Sequence, residues 1–157
     1  MAGVEVTVDR ESVRSPDAVH LIALLSAELA ERYHEDGEDG SGDFHPEDVE
    51  GTGSTFVIAR LEGKAVGCGA LRPYNEMSGE IKRIFVLPEA RGRRIARQIL
   101  QALEDAARES GYSFVRLETG TRQPESIALY ERMGYHRIAN YGYYADHPLS
   151  VCFEKRL

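Results

Sequence analysis

Residues 80–98 read EIKRIFVLPEARGRRIARQ, and this stretch decides the fold. Residues 81–87 have the composition of a strand, with Ile84, Phe85 and Val86 as β-formers, and Pro88 stops both strand and ladder. From about Arg93 the period changes. Ile95, Ile99, Leu100, Leu103, Ala106 and Ala107 fall at helical spacing, so Arg91-Gly92-Arg93-Arg94 sits where a strand hands over to a helix N-terminus. Unpaired backbone N–H groups and the positive end of the helix dipole converge at such a junction, and Gly92 lets the backbone approach a ligand closely. Between Lys82 and Arg97 lie six basic residues (Lys82, Arg83, Arg91, Arg93, Arg94, Arg97) and one acid, Glu89, in a chain of net charge -7. A solvated helix start and a polyphosphate site are the two readings of that local reversal of sign.

Working outward, Val4, Val6 and Val8 alternate with polar residues as in a half-buried strand. Ser15 and Pro16 then open a helix with an apolar stripe of Val19, Ile22, Leu25, Leu29 and Tyr33, ending near Gly37. The acidic, glycine-rich segment after it reads as a mobile loop with a short helix from Pro46. Residues 55–60 and 65–71 flank a Glu62-Gly63 turn and form a hairpin whose second strand is thinned by Gly67, Gly69 and Ala70. Ser110-Gly111 closes the central helix, and residues 114–119 form the fifth strand. The intervening helix makes this a βαβ crossover, so strands 81–87 and 114–119 should run parallel, adjacent over only part of their length. A helix from Pro124 to Met133, capped by Gly134, and strands at 135–138 and 149–153 complete the order βαβββαβαββ. That order predicts an α/β protein with a mixed, largely antiparallel central sheet and flanking helices.

At 157 residues the chain is expected to be one domain, 1–157. Its beginning has neither the basic end nor the apolar run of a signal peptide, no 18-residue apolar stretch is present, and Cys68 and Cys152 lie in strand-like runs as reduced core residues. A cytoplasmic protein without a membrane partner is expected. A pI near 5.3 argues against nucleic acid as the main partner.

The central stretch resembles the GNAT superfamily of acyl-CoA-dependent N-acetyltransferases. That family's signature is Arg or Gln, two residues, Gly, one residue, then Gly or Ala; Arg91 and Ala96 match, and Arg94 stands where the first Gly is usual. Residues 126–135, SIALYERMGY, look like its Ala-x-x-Leu-Tyr-Glu-x-x-Gly-Phe block, and Gln123 stands where an Asn usually contacts the cofactor. The resemblance, covering about residues 54–138, implies a splayed pair of parallel strands holding acetyl-CoA. The backbone of Ile84, Phe85 and Val86 would bond the pantetheine arm. Arg91, Gly92, Arg93, Arg94, Ile95 and Ala96 would wrap the pyrophosphate, with Arg97 beside them.

Chemistry sets further requirements. A protonated amine must lose a proton before it attacks a thioester, so a carboxylate is needed within reach. Glu80, at the start of the organising strand, and Glu118, twelve residues before Tyr130, are both candidates. Each also reads as an ordinary strand-end charge. Tyrosine is still protonated at neutral pH, and the resemblance places Tyr130 beside the sulfur as its acid. Backbone N–H groups near Val86 would meet the developing oxyanion. With both cysteines read as core, direct transfer with no acyl-enzyme is expected.

His20, His34 and His136 form no metal-ligand pattern, so no metal is expected. Tyr74 with Tyr141, Tyr143 and Tyr144 reads either as an acceptor pocket or as an aromatic surface packed on a second copy, and a homodimer is compatible with the sequence. The acidic loop 35–43 reads as a solvated charge run or an attractor of amines. The expected activity is transfer of acetyl to a primary amine of a small molecule or peptide. The alternatives are a non-catalytic acyl-CoA-binding domain and, with no Walker-type glycine-lysine pair to support it, a nucleotide-phosphate site.

Overall fold

The computed structural model describes residues 5–33 and 43–157. Seven strands and three helices alternate in the expected order: β1 Val6–Arg10, α1 Pro16–Tyr33, β2 Thr55–Leu61, β3 Lys64–Pro73, β4 Ser78–Val86, α2 Ile95–Glu109, β5 Phe114–Gly120, α3 Pro124–Arg132, β6 His136–Ile138 and β7 Ser150–Arg156. They form one sheet in the order β1-β2-β3-β4-β5-β7-β6. Every neighbouring pair is antiparallel except β4 and β5.

The parallel pair joins Ser78–Ile81 to Phe114–Leu117 and then stops. Beyond Leu117, β5 continues its pairing with β7 through Glu118, Thr119 and Gly120, while β4 continues along β3 to Val86. The two strands therefore diverge past Ile81 and Leu117. A bulge accompanies the split: between the pairs Cys68↔Phe85 and Ala70↔Lys82, β3 spends one residue and β4 spends two, Arg83 and Ile84. Arg83 sits in the left-handed region at φ 58. A bulge of this kind bends the strand and releases its backbone from regular pairing.

Helix α2 covers β3 closely because that strand lacks bulk. A Cβ on Gly67 would lie 2.8 Å from the Phe85 carbonyl oxygen, and one on Gly69 2.7 Å from Ile99 and 2.8 Å from Leu103. Into that space go Ile95, Ile99, Leu100 and Leu103, all buried, each contributing about 1.5–3 kcal/mol by leaving water. Glu104 on the same helix is also buried, paired with Lys155 Nζ at 3.0 Å and accepting from the Tyr135 hydroxyl at 2.8 Å. This network ties α2 to β7.

Several expectations need adjustment. Val19 is 57% exposed; the buried face of α1 is instead Ala18, Leu21, Leu25 and Tyr33. Ser15 does cap the helix, its hydroxyl accepting from Ala18 N–H at 3.1 Å. β4 begins at Ser78 and β7 extends to Arg156, because sheet pairing recruits residues of weak strand propensity, and α2 begins at Ile95 after the N-cap Arg94. The short helix from Pro46 is a 3₁₀ turn, Pro46–Val49. His34 and most of the acidic loop lie outside the described residues. His20 and His136 are exposed.

Candidate active site at the strand split

Where β4 and β5 part, a cavity of about 440 Å3 opens. Ile81, Lys82, Arg83 and Ile84 line it from β4, and Glu118, Thr119 and Gly120 from β5. Leu25, Leu29 and Tyr33 face it from α1, Gln123, Ser126 and Tyr130 from α3 and its approach, Tyr143, Tyr144 and His147 from the β6–β7 connection, and Ser150 from the start of β7. Gly120 lacks a side chain for a local reason: a Cβ there would fall 1.7 Å from the Tyr33 hydroxyl. α1 can close one wall only because this position is bare.

The three sequence candidates for proton transfer occupy different environments. Glu80 is 3% exposed and fully engaged. Arg72 Nε donates to its Oε1 at 2.7 Å, and the Tyr141 hydroxyl donates to its Oε2 at 2.6 Å. Arg72 also binds Asp48 at 2.8 Å and Asp43 at 3.2 Å, so Glu80 anchors an ion-pair network that holds the loop before β2. Glu118 instead lines the cavity, with the Ser150 hydroxyl donating to its Oε2 at 2.7 Å. Burial raises its pKa against the opposing pull of that hydrogen bond and of Lys82. Tyr130 is buried, its ring packed near Tyr135 and Phe153. Burial and then the Glu118 charge raise its pKa, which keeps the proton on the hydroxyl at neutral pH. Glu118 and Tyr130 thus lie within electrostatic range of each other beside one cavity. A carboxylate that binds a proton more readily than usual, next to a hydroxyl that holds its own, is the pairing that proton removal and proton return require.

Lys82 is the residue whose place the sequence reading missed. Counted there only among the basic residues of the central stretch, it turns into the cavity, where its Nζ donates to the Tyr144 hydroxyl and lies 4.6 Å from that ring's centroid. Strand alternation was the available signal, since period two puts Lys82 on the face of Glu80. His147 had no such signal, because the β6–β7 connection has no period, and Ser150 sits at the very start of β7, where a strand boundary is hard to read.

The cofactor residues divide into two groups. Ile84 and Gln123 line the cavity, whereas Phe85 and Val86 are buried and paired with Cys68 and Gly67. Arg91 is drawn back, donating to the Val86 carbonyl at 2.9 Å and to Glu28 at 2.7 Å, which fastens the end of β4 to α1. Arg93, Arg94 and Arg97 are exposed, and Ile95 and Ala96 begin α2. Gly92 has φ 82 with nothing within 4 Å of its missing Cβ, and Arg94, the N-cap, has φ 61. The position where the family uses Gly is therefore left-handed, and Arg94 adopts it without a glycine. An open cradle of helix amides flanked by exposed guanidiniums fits a pyrophosphate. With the cavity beside Ile84, it fits an acyl-CoA.

The four tyrosines do come together. Tyr74, Tyr141, Tyr143 and Tyr144 line a second cavity of about 410 Å3 with Asp43, His45, Asp48, Arg72 and Glu80, and Tyr143 and Tyr144 also border the first. Tyr143 is 52% exposed, whereas Tyr141 is buried with Arg116 stacked 4.7 Å from its ring. Burial pushes the Cys68 thiol up to about 12, and Cys152 is raised too, so neither thiol is activated. Among the described residues, no three His, Cys, Asp or Glu form a group that could hold a metal, and no helix is long and apolar enough to cross a membrane.

A seven-stranded, mostly antiparallel sheet with one splayed parallel pair, and an anion cradle leading to that split, defines the acyl-CoA N-acyltransferase class. Residues 21–135 match the acetyltransferase (GNAT) family, and the chain belongs to it. Its activity is accordingly acetyl-CoA-dependent N-acetyl transfer. The chain is 38% identical to an IAA acetyltransferase of Azospirillum brasilense, over 97% of this chain and 98% of that one. A Klebsiella pneumoniae chain assigned to the acyl-CoA N-acyltransferases is 34% identical with a TM-score of 0.79, at 97% coverage of both. A GNAT family acetyltransferase from Elizabethkingia anophelis, with acetyl-CoA bound, shares the fold at 19% identity and a TM-score of 0.68, over 97% of this chain and 98% of that one.

Proposed function

We propose that the protein moves acetyl directly from acetyl-CoA to a primary amine of a small molecule or peptide, with Glu118 as base and Tyr130 as acid. The observation that carries this reading is the pairing of Glu118 and Tyr130 at the split, where Glu118 has raised proton affinity, while both oxygens of Glu80 are taken by Arg72 and Tyr141.

Acetyl-CoA supplies an activated thioester. The chain supplies the rest. Ile84 and Gln123 border the arm, the amides opening α2 with Arg93, Arg94 and Arg97 take the pyrophosphate, and α1 excludes water with Leu25, Leu29 and Tyr33. Glu118 accepts the proton of the incoming ammonium, and Tyr130 gives one to the departing sulfur. Two buried, unactivated cysteines support a ternary complex without an acyl-enzyme, and their reduced state supports a cytoplasmic setting. The proposal treats 1–157 as one domain, which a sheet containing both β1 and β7 supports.

The acceptor enters past the tyrosines of the second cavity, of which Tyr143 is the most exposed. An acceptor panel of small amines, amino-terminal peptides and IAA, after the relative's name, tests the reading by acetyl-CoA-dependent thiol release. Glu118→Gln should lower kcat by about 100-fold or more. Unchanged kcat in Glu118→Gln with loss in Glu80→Gln would transfer the base to Glu80.

A further inference from the structure

We infer that Lys82 is itself an acetyl acceptor: with acetyl-CoA bound and no other amine present, its Nζ takes the acetyl group. This rests on the transferase reading above and adds a modification site inside the same cavity.

The chain has three lysines, Lys64, Lys82 and Lys155. Lys64 is exposed beside the β2–β3 turn, 4.0 Å from Glu89, and Lys155 is held by the buried Glu104 at 3.0 Å on the far side of α2. Lys82 alone among them lines the cavity at the split, together with Glu118 and Tyr130. It is the first residue of β4 beyond the last parallel pair, Ile81↔Leu117, so its backbone stands at the vertex of the opening. The bond to Tyr144 and the position over that ring hold the side chain against the cavity wall. Here a primary amine, the group this family acetylates, is already inside the site.

The surroundings favour its reaction. Burial lowers its pKa, outweighing the attraction of Glu80 and Glu118 for the ammonium and aided by the repulsion of Arg72 and Arg83, so the nucleophilic free base is more accessible than for a surface lysine. Glu118, the proposed base, is among the charges Lys82 feels. The step balances. The ammonium gives one proton to Glu118, the Nζ–C bond forms as the thioester C–S bond breaks, and the second nitrogen proton is lost as the amide forms. That last proton matches the one Tyr130 gives to sulfur, leaving acetyl-Lys82 and the CoA thiol. Acetylation removes the charge over Tyr144 and fills the space an acceptor amine must enter, so the modified fraction should turn over less.

The test is to incubate the purified full chain with acetyl-CoA and no amine, and to follow intact mass and the peptide map. The expected result is one acetyl group, on Lys82, absent in Lys82→Arg, about tenfold slower in Tyr130→Phe, and absent when the wild type is held unfolded in urea. Lys64 and Lys155 report non-enzymatic acetylation in the same sample. Equal labelling of all three lysines, or labelling that persists in urea, overturns the inference. So does an unmodified Lys82 in a preparation that acetylates the amine panel, and that outcome leaves the transferase reading standing. Failure to bind acetyl-CoA in calorimetry removes both.

Discussion

At the residue scale, Glu80 and Glu118 look alike in sequence and differ in what surrounds them. Glu80 is an anchor: Glu80→Gln exchanges a charged acceptor for a neutral one against Arg72 and should cost about 2 kcal/mol, read as a lower urea midpoint. Glu118 behaves in the opposite way. Its folded pKa lies above the unfolded one, so folding gains from its protonated form below the unfolded pKa, and that gain is lost as pH rises through the folded value. Ionising Glu118 in this buried position therefore costs the folded state stability. Glu118→Gln should keep or raise Tm at pH 7 while activity falls, with the difference in Tm closing as pH drops below the usual carboxylate range. A lower Tm at pH 7 would show that Glu118 is chiefly structural. The acid limb of the pH–rate profile should likewise vanish in Glu118→Gln and persist in Glu80→Gln.

At the element scale, the junction of β4 and α2 combines two left-handed residues, Gly92 at φ 82 and Arg94 at φ 61. A left-handed non-glycine residue costs about 1–2 kcal/mol, whereas glycine pays only its greater entropy. Arg94→Gly should therefore raise stability by up to about 1 kcal/mol, and Arg94→Val should lower it, both measured by chemical denaturation. Arg91 acts on the same junction from within, bonded to the Val86 carbonyl and Glu28. Arg91→Ala should loosen α1 and depress the urea midpoint, whereas Arg93→Ala, at an exposed position, should weaken acetyl-CoA binding in a salt-dependent way at unchanged midpoint. Close contact of α2 with β3 is equally local in origin. Gly67→Ala would press on the Phe85 carbonyl, a backbone atom that cannot swing away, and should cost about 1–3 kcal/mol.

At the scale of the whole molecule, an acidic chain of net charge -7 keeps a basic cradle at one end of α2 and a cavity with the Glu118 carboxylate on its inner wall. A ligand that binds only the folded state should stabilise it by about 2.7 kcal/mol at a hundredfold excess over its Kd. Acetyl-CoA and CoA should both raise Tm, and ATP, lacking the pantetheine arm that the cavity fits, should raise it less. Equal shifts with ATP would mean that phosphate binding alone is being measured.

Sequence by itself determined the order of elements, the parallel crossover from β4 to β5 and the turn at Glu62-Gly63. These follow from period, breakers and short spacings, all of which are local. It left the two glutamates equivalent, gave Lys82 no role beyond the local basic count and put Val19 in the core. Only the tertiary structure showed that Glu80 is engaged on both oxygens, that Lys82 and Glu118 line the cavity and that Val19 faces outward. Whether a strand-end carboxylate is a base or an anchor depends on Arg72 and Tyr141, brought to it from another strand and from the β6–β7 connection. The bulge at Arg83 and the end of pairing at Ile81↔Leu117 likewise depend on neighbours far away in the chain. Periodicity records which side of an element is apolar. It carries no record of which distant side chain arrives to engage a charge, and that arrival is what makes two similar glutamates different.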